Sequence, residues 1–114
     1  MKTRQHLRVP LPMPVKVKIL DQDEEFNLSR IDDISWGGAF VVIEPLPPVG
    51  SRIILQFSGE NVALELWGSI VRIKEPAVGV AGGVGIQFDP LDDETRSLIQ
   101  RLIDDEIRQV FKSL

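Results

Sequence analysis

Several short, turn-bounded stretches of alternating residues followed by one helical stretch predict an all-β-dominated domain: a small antiparallel barrel with a C-terminal helix. Three observations carry this prediction. Apolar and polar residues alternate from Val15 onward, clusters of Gly, Pro, Asp and Ser interrupt the alternation, and the spacing becomes helical after Asp92. A parallel sheet would need crossover helices between its strands, and the chain holds a single long helical pattern.

Residues 1–14 are polar and basic, then spaced by proline. Pro10, Pro12 and Pro14 fix their own φ and push Val9, Leu11 and Met13 toward extended geometry, which predicts an extended N-terminal arm. Val15, Val17 and Ile19 then oppose Lys16 and Lys18, the period of a half-buried strand. Asp21–Glu25 is an acidic turn. The second strand alternates less cleanly, with Phe26, Leu28 and Arg30 opposite Asn27, Ser29 and Ile31. Asp33-Ile34-Ser35-Trp36-Gly37-Gly38 is turn chemistry.

Ala39–Ile43 reads as a short buried strand, and Pro45, Pro47, Pro48 and Gly50 mark the loop after it. Ser51–Phe57 is the fourth strand. Val62–Lys74 is a long one whose apolar face switches around Gly68, which predicts a bulge or bend there. Gly83–Phe88 ends the series. Asp92, Asp93 and Glu94 place acids at a helix start, and Leu98, Ile99, Leu102, Ile103, Ile107, Val110, Phe111 and Leu114 follow at helical spacing. That stripe is broad enough to pack on the barrel and on a partner, a second copy of the chain included. The organisation is one domain, with an arm over 1–14, a barrel over 15–90 and a helix over 91–114.

Composition excludes several function classes. The 114 residues carry 13 Lys and Arg against 17 Asp and Glu, a net charge of −4, which disfavours DNA or RNA as a partner. The balance is uneven, because Lys2, Arg4, Arg8, Lys16 and Lys18 all precede the first acid, Asp21. With no cysteine and one histidine, disulfides, thiol nucleophiles and Cys- or His-rich metal sites are excluded. No apolar run is long enough for membrane insertion and no targeting signal stands out, so the expected location is the cytoplasm. Asp21, Asp23 and Glu25 lack the glycine and the closing glutamate of a calcium loop, and there is no GxSxG nucleophile elbow. The chain therefore reads as a non-enzyme without metal or cofactor.

Two short motifs remain. Arg4-Gln5-His6-Leu7-Arg8 has two arginines four apart, and Asp33-Ile34-Ser35-Trp36-Gly37-Gly38 follows after one strand hairpin. Each alone is a common surface feature. Together and in this order they resemble the paired motifs RxxxR and (D/N)xSxxG of the PilZ domain family. Gly68–Ile73 and Gly83–Phe88 look like two further strands of that family, so the resemblance runs from Arg4 to the C-terminal helix.

The resemblance implies a six-stranded antiparallel barrel that binds the bacterial second messenger cyclic di-GMP. It implies that Arg4 and Arg8 grip guanine edges and phosphates, and that Asp33, Ser35 and Gly38 form the opposite wall. Residue chemistry agrees. Arg can bond guanine O6 and N7 bidentately or clamp a phosphate. A carboxylate such as Asp33 accepts from guanine N1–H and N2–H₂, Ser35 can donate or accept, and Gly38 admits close approach. Trp36, Gly37 and His6 are additional candidate contacts. Trp36 reads equally as a structural aromatic, and His6 more readily as exposed arm. Ligand would draw the arm across the barrel and create a surface for a downstream protein. The alternative is a module that keeps the fold and binds protein in place of nucleotide.

Overall fold

Alternation builds the wall of the barrel. In β1 (Val9–Ile19) Met13, Val15, Val17 and Ile19 point inward while Pro12, Pro14 and Lys16 are exposed. The same period runs through β5 (Ala63–Lys74) as far as Ile70, while β2 (Asn27–Ile34), β3 (Gly38–Val42), β4 (Arg52–Ser58) and β6 (Gly83–Phe88) complete the wall with bulges or with both faces largely covered. A computed structural model describes residues 9–58 and 62–112. Every pairing is antiparallel, and the strands close on themselves in the order β1-β2-β3-β6-β5-β4. Closure removes open sheet edges, which a small sheet would otherwise expose to other chains.

The six-stranded antiparallel barrel with one C-terminal helix is therefore observed. Its core draws on all six strands, including Ile31, Ile53, Leu55, Phe57, Ile70 and Val84, each nearly or fully buried. Helix α1 (Asp93–Lys112) packs on β1 and β5 and sends Ile99, Leu102 and Ile103 into that core, with Leu98 and Ile107 against it. Asp92 caps the helix, its carboxylate accepting the Thr95 N–H at 2.7 Å.

Two boundaries differ from the sequence reading. Residues 9–14, which the proline spacing assigned to the arm, are the first half of β1. Prolines at alternate positions turn their missing N–H groups to one side of a strand. There β1 pairs with β2 along Val9–Val17, while its pairing with β4 begins only at Lys16. The prolines thus stand where no second partner strand needs their N–H, among the described residues. In β5 the irregularity falls between Ile70 and Arg72, beyond the Gly68 predicted, and leaves Val71 and Arg72 both exposed.

Candidate functional site

The DxSxxG segment spans the end of β2, the β2–β3 turn and the start of β3. Ser35 is buried, and its bonds are spent on the turn. Its N–H donates to the Gly38 carbonyl at 2.8 Å, and its hydroxyl donates to the same oxygen at 3.4 Å and accepts the Gly37 N–H at 3.2 Å. The Gly37 carbonyl accepts the Phe88 N–H at 2.9 Å, which ties the turn to β6. A side chain at Gly38 would run into the Ile86 carbonyl oxygen. Trp36 is half exposed on the same turn.

Asp33 is placed differently. Ile31 and Ile34 both face the core, so strict alternation would turn Asp33 inward. A register shift between Ile31 and Asp33 inserts Asp32 as an extra residue and sets Asp33 on the outer face, in register with Phe40. One of its carboxylate oxygens is buried there. Asp32 pairs with Arg30 at 3.2 Å.

A second bulge does the same for Arg72. From inward-facing Ile70, a regular strand would turn residue 72 inward, and the shift before Arg72 brings it out. Register then lines up Asp33, Phe40, Gly85 and Arg72 across β2, β3, β6 and β5. Glycines on β6 leave a furrow in this row. The Phe40 ring occupies the space a Gly83 side chain would take, and the Arg72 guanidinium lies over Gly85. Lys74 Nζ stands 5.9 Å from the centre of the Phe40 ring. The resulting cavity, about 460 Å³, is lined by Asp32, Asp33, Phe40, Arg72, Ile73 and Lys74.

The structure thus brings Asp33 together with two cations, and keeps Ser35, Gly37 and Gly38 in the turn beside them. Arg4, His6 and Arg8 lie outside the described residues. The sequence reading missed Arg72, Lys74 and Phe40. Alternation alone hides Arg72, and only the odd spacing of Ile70 and Ile73 around it signals the bulge. At the start of β4, Arg52 clamps Asp89 through Nη1 at 2.7 Å and Nη2 at 2.5 Å and also donates to Ser69 at 2.8 Å. Arg52 holds the Asp89 carboxyl below the usual carboxylate range. Among the described residues no cluster of metal-ligating side chains occurs, and no helix is long and apolar enough to cross a membrane.

No curated protein matches the chain in sequence. Solved structures do match in fold. The PilZ domain of YcgR from Escherichia coli, with cyclic di-GMP, is 17% identical, with 98% of this chain and 97% of that one covered and a TM-score of 0.75. The Bacillus subtilis inhibitor of motility (MotI/DgrA) is 22% identical over 98% of this chain and 53% of that one, with a TM-score of 0.68. A longer YcgR chain from Escherichia coli, in complex with cyclic di-GMP, is 18% identical over 96% and 48%, with a TM-score of 0.71. The chain spans about half the length of these last two. The family model described as the PilZ domain matches residues 2–105, so a likeness first carried by two short motifs extends over nearly the whole barrel and most of its helix: the chain belongs to the PilZ domain family.

Proposed function

We propose that the protein is a non-enzymatic bacterial receptor for cyclic di-GMP that relays the signal to a partner protein in the cytoplasm. The observation that carries this reading is the cavity in which Asp33 of the DxSxxG motif faces Arg72 and Lys74 across Phe40. A dianion with two guanines asks for such a set: cations for the phosphates, and a carboxylate for guanine N1–H and N2–H₂. Two structures similar in fold are described as holding cyclic di-GMP, which supports the same ligand here.

In this reading Arg4 and Arg8 close on the ligand from the arm, with His6 between them, while Arg72 stacks on or clamps it from β5. Ser35 and Gly37 hold the turn, Gly38 keeps β3 tight on β6, and Trp36 borders the site. Ordering the arm costs about 1–2 kcal/mol for each residue fixed, offset by the charge-assisted bonds it gains. The ordered arm and ligand together present a surface that the free protein lacks.

The test is a calorimetric titration of the purified chain with cyclic di-GMP, with GMP and cyclic di-AMP as controls. Saturable binding of cyclic di-GMP in the micromolar range, about −8 kcal/mol, is expected, with no comparable heat from the controls. No heat and no thermal stabilisation at high ligand would overturn the reading in favour of a protein-interaction module.

A further inference from the structure

Further along the same strands, past Val42, lies a second cavity of about 480 Å³. Leu28, Pro45, Pro76 and Ala81 give it apolar walls, and among the described residues its charged members are Glu44 and Glu75. We propose that this cavity docks a partner protein, through a segment that presents a bulky apolar side chain beside a lysine or arginine.

Apolar exposure provides the driving force. Leu28 is 75% exposed at its rim, Val80 next to Ala81 is 47% exposed, and Val78, in the turn closed by the Ala77–Val80 bridge, is fully exposed. Covering these side chains removes apolar area from water, which is favourable in proportion to the area covered.

Charge selects the occupant. Glu44 and Glu75 are exposed and make no ion pair among the described residues. The turn before β2 adds exposed Glu24 and Glu25. Two nearby cations are engaged, Arg30 with Asp32 and Lys74 over Phe40, while Lys16, in register with Leu28, is its exposed cross-strand neighbour on the β1 side, away from Glu44 and Glu75 in the chain order of the strands. Paired carboxylates repel a nucleotide or an anionic lipid surface. They also oppose a second copy, since a two-fold contact through this patch sets Glu44 and Glu75 against their own counterparts. A basic and apolar protein segment meets both demands. The inference does not rest on nucleotide binding.

The test is selection of a displayed random-peptide library on the purified chain, with counter-selection on a Glu44→Lys, Glu75→Lys double variant. Enriched peptides are expected to carry Leu, Ile, Phe or Trp beside Lys or Arg. The best of them, synthesised and followed by fluorescence anisotropy, is expected to bind Leu28→Asp and the double variant at least ten-fold more weakly than the unmodified chain. Because Leu28 is exposed, Leu28→Asp is expected to keep its thermal midpoint and its cyclic di-GMP isotherm, which separates failure here from failure of the nucleotide reading. No enrichment, a consensus blind to charge, equal binding to the variants, or a dimer that Leu28→Asp dissociates would each overturn the proposal.

Discussion

Gly38 lies so close to Ile86 on the neighbouring strand that a Cβ at residue 38 would overlap the Ile86 carbonyl oxygen. The last residue of the DxSxxG motif is thus required by the barrel itself, before any ligand is considered. Gly38→Ala is expected to push β3 from β6 and cost about 1–3 kcal/mol, the usual penalty of overpacking. Chemical denaturation measures it. An unchanged midpoint would mean that the two strands separate freely and that glycine there serves the ligand alone.

Asp33 and Arg72 face one cavity from opposite strands, so substitutions at either are expected to act on the ligand. A hydrogen bond to a charged group contributes about 1.5–3 kcal/mol. Asp33→Asn and Arg72→Ala are each expected to weaken cyclic di-GMP binding by roughly ten-fold to a hundred-fold. Arg4→Ala and Arg8→Ala are expected to do the same from the arm. Calorimetry checks all four, with circular dichroism confirming the fold. Full affinity in Arg72→Ala would remove it from the site.

The barrel was legible because its interior follows a period of two that Val15, Val17, Ile19, Leu64 and Leu66 keep without exception. The candidate site was legible only where a motif marked it. Asp33 came from the motif, although alternation from Ile31 points it inward; Arg72 had no motif and was lost behind the same rule. In both cases a one-residue bulge decides the face, and a bulge is fixed by the pairing of distant strands. The extent of β1 was hidden for a related reason. Pro10, Pro12 and Pro14 oppose a strand only where a neighbour needs their N–H, and that depends on where β4 starts to pair.

The Arg52–Asp89 clamp makes part of the stability depend on pH. Hydrogen bonds from Arg52 hold the Asp89 carboxyl below its ordinary value of 3.8. A carboxyl lowered in the folded state stabilises fully above its unfolded value, and that contribution is lost as pH falls through the folded one. Arg52→Met is therefore expected to lower the thermal midpoint at neutral pH, with the gap to the unmodified chain closing below about pH 4. A gap that persists unchanged at pH 2 would assign the loss to packing.

Helix α1 contributes to the core as well as covering it. Ile99 is fully buried in the core cluster with the barrel side chains, and the Asp92 cap fixes where the helix begins. Ile99→Ala is expected to cost about 2–5 kcal/mol through the cavity it leaves. Asp92→Ala is expected to cost less, and Asp92→Asn less again, since the amide oxygen still accepts the Thr95 N–H. If the helix folds with the barrel as one unit, Ile99→Ala lowers the near-ultraviolet signal of the barrel tryptophans and the far-ultraviolet helix signal in a single transition. Two separate transitions would make α1 an appended element, and the Ile99 contact a consequence of the barrel and not part of what holds it.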